Sequence, residues 1–313
     1  MRFIMVFIVG FTTFISHATG GETLTYVDLV GRLTDLEHLA VLPEAGEKCA
    51  QWSSYDRKSK YDGSTGKYVV WGANGDGDGF IRTEDGKLVL AEMDGPGVLW
   101  RIWSAAPRKG HVRIYLDGED KPAVDLPFAG YFNGKNEPFT REGLGYFASG
   151  GANSYVPIPY QKSCKVVADE GWGRYFHFTY TTYPKGMRLP TFKRNLSAAE
   201  SAALDKANQV LTNCGSDPAG KRPGEITEQK TVTAAPGKTV TIADLKGARA
   251  ITALKVKMDV HKTANEFGVL RELALRILWD DESQPSVSSP LGDFFGTAPG
   301  VSMYKSLTMG MTE

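Results

Sequence analysis

The side chains in this sequence best placed to do chemistry are a few carboxylates and a set of aromatic rings beside them. Asp293 stands in the run Leu291-Gly292-Asp293-Phe294-Phe295-Gly296. A glycine on one side and two phenylalanines on the other can desolvate a carboxyl group and push it toward general-acid behaviour. Glu92, just before Gly95-Pro96-Gly97, is the second candidate, and Asp280 with Glu282 in Trp279-Asp280-Asp281-Glu282 is the third. Each also has a plainer role open to it, since carboxylates at turns accept backbone N–H groups. Trp52, Tyr55, Asp56, Arg57 and Trp71 combine flat rings with charged hydrogen-bonding groups. That mixture suits a sugar, whose apolar faces stack on rings while its hydroxyls meet carboxylates and guanidinium. Asp76, Asp78, Arg101, Phe294 and Phe295 complete the candidate contact set.

Asn74, Asp76, Asp78 and Gly79, with Ile81 apolar and Asp85 closing, fit the first half of a calcium loop. The run before it, Gly66 to Gly72, reads as a strand, so the flanking helices of an EF-hand are missing and a Gly/Asp-rich turn is the other reading. No other cofactor is signalled. P-loop, dinucleotide-binding glycine pattern, HExxH helix and G-x-S-x-G elbow are all absent.

The elements that must hold these residues are short strands. Leu88 to Trp103 and Val112 to Leu116 show apolar alternation, and Ser154 to Val167 and Tyr175 to Thr182 read as further strands of the same sheet system. Thr25 to Ala40 places Val27, Val30, Leu33 and Leu36 at helical spacing, with Pro43 ending the run. Ser197 and Glu200 form a capping-box pattern at the start of a second, Ala-rich helix, and Gly215 suits its stop. Residues 216–224, SDPAGKRPG, read as a linker.

The chain also repeats itself. Ile114, Asp117, Glu119, Pro122, Val124, Pro127 and Phe132 recur at one constant spacing as Ile277, Asp280, Glu282, Pro285, Val287, Pro290 and Phe295. Upstream, Glu92 to Trp103 is echoed by Asp244 to Val256. Repetition on this scale implies duplicated architecture. The expected fold is mainly β: a tandem double jelly-roll, or β-sandwich pair, with short peripheral helices. The expected division is a first jelly-roll over 22–215, the linker 216–224, and a second over 225–313. The counterpart of Ser154 to Val167 falls beyond Glu313, so the second jelly-roll is expected to be incomplete and the chain a truncated product. Because the acids recur in both copies, Asp280, Asp281 and Glu282 read as a structural turn, whereas Asp293 faces Gly130 in the alignment and is particular to the second copy.

Composition narrows the class. The 313 residues support one large or two medium domains. Lysine plus arginine (36) balances aspartate plus glutamate (36), which leaves no electrostatic footprint for nucleic acid or an anionic membrane. Arg2, the apolar run Phe3 to Ile15 and Ser16-His17-Ala18 read as a signal peptide over 1–18, too short to span a bilayer, so the mature protein is expected to be secreted or periplasmic without a membrane span. Cys49, Cys164 and Cys214 allow one disulfide and leave one thiol over, and their spacing does not suggest a metal site.

SSYDR (53–57), the loop GDGDGF (75–80), GPGVLWRIWSA (95–105), RIYLDG (113–118), SYVPIPYQKS (154–163) and WDDESQPSVSSPLGDFFG (279–296) together resemble domain-of-unknown-function family 2961, part of which is classified as glycoside hydrolase family 172. The resemblance runs through nearly the whole mature chain. It implies a tandem double jelly-roll, homo-trimers or homo-hexamers with active sites at subunit contacts, and action on α-linked furanosides of D-fructose or D-arabinose, retaining configuration with two glutamates. Such chemistry needs two carboxyl groups about 5–5.5 Å apart, one of raised pKa. One family glutamate falls shortly after the FFG motif, where this chain reads TAPGVSMY, and the other falls beyond Glu313; none occurs between Gly296 and Thr312. Asp293 and Glu92 are therefore the catalytic candidates within the chain. Three readings stand: an exported furanosidase, a carbohydrate-binding or surface protein on the same scaffold, and an assembly subunit.

Overall fold

A computed structural model of the protein describes residues 3–9, 23–72, 74–77, 79–215, 217–258, 266–297 and 300–312. The described residues fall into two compact units, one built from residues 23–34 and 42–212, the other from Phe3–Val9, Asp35–Val41 and the chain from Asn213 onward.

The first unit is a β-sandwich. Its five-stranded sheet runs Val124–Pro127, His111–Leu116, Ser163–Ala168, Lys87–Asp94, Arg82–Glu84. Its six-stranded sheet runs Gly145–Ala148, Gly151–Ser154, Gly97–Ser104, His177–Thr182, Lys48–Ser53, with Ile158–Tyr160 also paired to Gly97–Ser104. Pairing within both sheets is antiparallel throughout. The alternation seen in His111–Leu116 puts Val112, Ile114 and Leu116 into the core and the residues between them toward the outside. Phe128, Tyr131, Phe139, Phe176 and Phe178 fill the same core, their rings meeting mostly edge-on or tilted.

Two helices lie on this unit. Ala198–Thr212 begins as its capping box requires: Ser197 N donates to Glu200 Oε2 (2.7 Å) and Glu200 N to Ser197 Oγ (3.3 Å). Leu204 and Ala207 are its buried residues. The helix expected over 25–40 is shorter and faces differently. It spans Tyr26–Gly31, capped by Thr25 with Asp28, and buries Tyr26, Leu29 and Val30 while Val27 is exposed. Asp35 Oδ1 then accepts from the backbone of Glu37 and His38 and starts a separate 3-10 turn, Glu37–Ala40. Local capping by Asp35 competes with continuation of the first helix.

In the second unit Ala274–Ile277 pairs antiparallel with Val287–Pro290. The first unit pairs His111–Leu116 with Val124–Pro127 in the same register: Ile114 faces Val124 as Ile277 faces Val287, and His111 faces Pro127 as Ala274 faces Pro290. Each second strand runs into one helical turn, Phe128–Tyr131 after Pro127 and Leu291–Phe294 after Pro290. The first strand of the second unit's pair ends at Ile277, and Trp279 N donates to Glu282 Oε1 (2.8 Å) to open a turn. Phe3–Val9, read from the sequence as the leader's apolar core, lies as a strand between Ile226–Val232 and Ala253–Lys257. The rest of the leader lies outside the described residues. In the linker stretch, Arg222 is buried and ion-paired to Asp217 (2.6 Å) and to Glu37. The three cysteines are thiols, with Cys164 buried in the core.

Candidate functional site

Within the first unit, one face of the six-stranded sheet brings together a set of aromatic and polar side chains. Across adjacent strands Asn153 faces Trp103, Trp103 faces His177, and His177 faces Ser53. One step along the same face Arg101 is opposite Thr179, and Thr179 opposite Gln51. The side chains lock together. The Trp103 and His177 rings stack with centroids 4.6 Å apart. Arg101 Nη2 donates to Asn153 Oδ1 (2.9 Å), and its guanidinium lies 6.0 Å from the Trp103 ring and 5.8 Å from that of Tyr155. Tyr155 in turn stacks on Tyr146. Burial, with Arg101 nearby as the lesser cause, holds the His177 imidazole below its ordinary pKa, so the ring is kept neutral. Gly151 lies under the indole, where a Cβ would come within 2.3 Å of Trp103 Nε1.

Two loops border this face at its His177 end. Gly77 N donates to Ser54 O (2.8 Å), and Tyr175 N donates to Gly77 O (2.9 Å). Gly77 has φ +97, and a Cβ there would sit 2.6 Å from the Tyr175 ring, so the loop closes only with glycine. Asp56 accepts from Gly75 N and Lys58 N, which lowers its pKa and ties the two loops together. Arg57 lies over the Tyr55 ring (4.7 Å) and donates to Ser53 O (3.0 Å).

The sequence candidates are therefore divided. Tyr55, Asp56 and Arg57 form one loop, and Arg101 lies on the adjoining sheet face. Trp52 is spent internally, its indole N–H donating to Glu92 O (2.8 Å). Trp71 stands apart on a hairpin with Tyr68. Asp76 is exposed, and Asp78 lies outside the described residues. Among the described residues no group of three or more His, Cys, Asp or Glu is arranged to hold a metal ion. Trp103, Asn153, Tyr155 and His177 were not singled out from the sequence. The available signal was alternation, since Arg101 and Trp103 share one strand face.

Glu92 sits in an ion network. Arg82 meets both of its oxygens at 2.6 Å, and Arg82 and Lys165 also hold Glu84. The Arg82 hydrogen bonds hold the Glu92 carboxyl below its usual range, which opposes a general-acid role. In the second unit Asp293 lies in the turn Leu291–Phe294 and pairs with Arg271 at 2.9 Å. Phe294 and Phe295 meet edge to face. Glu282 accepts from Trp279 N, Ser286 N and Ser286 Oγ, so it pins its turn.

Two family models match this chain. The GH172 first beta-sandwich domain matches residues 45–200, and a GH172 domain-like model matches 224–313. The chain belongs to glycoside hydrolase family 172. The first match covers the whole sheet face from Gln51 to Thr179, and the second covers Arg271 and Asp293. Family membership makes the function one of glycoside-hydrolase type. Individual curated proteins give no match.

Proposed function

We propose that this is an exported glycoside hydrolase acting on α-furanosidic linkages in fructose- or arabinose-containing glycans, with the sugar seated on the Trp103–His177 face. The observation that carries the reading is the 4.6 Å Trp103–His177 stack beside the Arg101–Asn153 hydrogen bond. A furanose ring offers an apolar C–H face and a rim of hydroxyls. The ring pair meets the first, and Arg101, Thr179 and Gln51 meet the second, with Asn153 buried behind them as the acceptor that holds Arg101. Glu92, held ionised by Arg82, is assigned to structural support, and Asp293, paired with Arg271, is the candidate carboxylate of the second unit.

One observation favours a second reading, a binding protein without turnover. Where the family resemblance places a glutamate after the FFG motif this chain reads TAPGVSMY, and no glutamate occurs between Gly296 and Thr312.

The deciding experiment incubates the protein with aryl α-D-arabinofuranoside and α-D-fructofuranoside, alongside Trp103→Ala and Asp293→Asn. Release of the aryl group that both substitutions reduce supports the hydrolase. Sugar binding that Trp103→Ala weakens, with no release by any variant, moves the protein to the second reading. No binding and no release rejects both. Light scattering tests assembly as a homo-trimer or homo-hexamer. Export predicts an N-terminus at Thr19; a secreted chain that retains Met1 contradicts leader cleavage, and it would also retain the Phe3–Val9 strand.

A further inference from the structure

The first unit carries a second aromatic group whose rings are presented to solvent. Lys60–Asp62 and Lys67–Val69 form a two-stranded hairpin in which Tyr61 is directly opposite Tyr68. Their ring centroids are 5.2 Å apart, and Tyr68 and Trp71 are 5.4 Å apart. Exposure is 61% for Tyr61, 52% for Tyr68 and 78% for Trp71. A two-stranded hairpin is marginal by itself, and this one is held from within. Asp62 accepts from Ser64 N (2.9 Å), Ser64 Oγ (2.6 Å) and Thr65 Oγ1 (2.9 Å), and Gly66 N closes the turn on Asp62 O. Val70, a β-branched residue, takes φ +52, a costly conformation that turns the chain just before Trp71. Rings so exposed, on a turn so thoroughly fastened, are arranged for an external contact rather than for the core.

We propose that the Tyr61–Tyr68–Trp71 hairpin is a secondary binding surface for a neutral polysaccharide chain, so that the substrate class of the protein is polymeric rather than a free di- or trisaccharide. The inference rests on the carbohydrate-directed reading above. Two features favour a glycan over a second protein. The three rings together expose on the order of 400 Å², about half of the ~800 Å² per partner found in stable protein interfaces. Rings inclined at 60° and 56° to one another leave separate faces for successive sugar units.

The test uses the whole chain in affinity electrophoresis through gels containing soluble D-arabinan, with a soluble α-glucan as control. It is paired with titration of methyl α-D-arabinofuranoside and with mass by light scattering. The double variant Tyr68→Ala/Trp71→Ala should lose about tenfold or more of its affinity for the arabinan and keep its affinity for the monosaccharide. The conservative Trp71→Phe should retain most of the retardation, which guards against a merely unfolded hairpin. Equal retardation of parent and double variant overturns the proposal. So does a fall in oligomer mass on substitution, which would make the patch a contact between copies. Monosaccharide binding with no arabinan retardation leaves the sheet-face reading standing and rejects the hairpin. Hairpin-dependent retardation without monosaccharide binding does the reverse.

Discussion

Asp117 and Asp280 occupy equivalent places in the two halves of the chain and share a left-handed backbone, with φ of +56 and +49. Each follows the first strand of a matched pair, and two residues later Glu119 N and Glu282 N close the same turn on Leu116 O and Trp279 O. Their side chains have diverged in use. Asp117 accepts from Lys162 N, Ser163 N and Thr191 Oγ1, whereas Asp280 is exposed. Asp117→Ala should therefore destabilise the first unit by about 2–3 kcal/mol, the range for losing hydrogen bonds to a charged group. Asp280→Gly should be neutral or slightly stabilising, because glycine removes the left-handed cost. Urea denaturation of each variant checks the contrast, and equal losses would refute it.

Gly151 and Trp103 give a second test. A methyl group at 151 would sit 2.3 Å from the indole nitrogen, so Gly151→Ala must displace Trp103 from His177. The expected result is a sugar affinity as low as that of Trp103→Ala, with a stability cost of about 1–3 kcal/mol from overpacking. Fluorescence titration reads the first and thermal unfolding the second.

His177 should titrate below 6.5 in the folded protein, because burial first and Arg101 second disfavour its charged form. The sign follows directly. As pH falls below 6.5 the unfolded chain takes up this proton before the folded chain does, so stability is lost from that point downward to the folded pKa. His177→Gln should flatten this part of the stability profile. In an NMR titration Arg101→Gln should return the midpoint only part of the way, since burial remains.

Glu92→Gln and Asp293→Asn separate the two carboxylate candidates. Glu92 shares Arg82 with Glu84 on a surface more than a third exposed, so its loss should cost under about 1 kcal/mol and leave sugar turnover within a few-fold of the parent. Asp293→Asn should reduce turnover far more than it reduces stability. A collapse of activity in Glu92→Gln would return that residue to the reacting centre.

Ser197→Ala should cost about 1 kcal/mol, since it removes the acceptor for Glu200 N at the start of Ala198–Thr212. Loss of helical signal on heating is the measurement.

Periodicity and repetition made much of this protein legible. Alternation marked Val112, Ile114 and Leu116 as core, and the constant spacing of Ile114, Val124 and Pro127 with Ile277, Val287 and Pro290 anticipated two hairpins in one register. The capping residues Ser197 and Glu200 announced their helix. Such features are local, and a single strand or helical turn expresses them. The site depended on which strands become neighbours. Arg101, Asn153 and His177 lie far apart in sequence and meet only because Gly97–Ser104 pairs with Gly151–Ser154 on one side and with His177–Thr182 on the other. Trp52 and Trp71 look alike as aromatic residues beside charged loops, yet one indole is hydrogen-bonded to a neighbouring strand and the other faces water. Glu92 looked like a free acid until tertiary pairing brought Arg82 against it. Local pattern determined where the chain is strand or helix. Nonlocal strand order decided which polar and aromatic groups share a face, because an antiparallel sheet sets its neighbours by register rather than by distance along the chain.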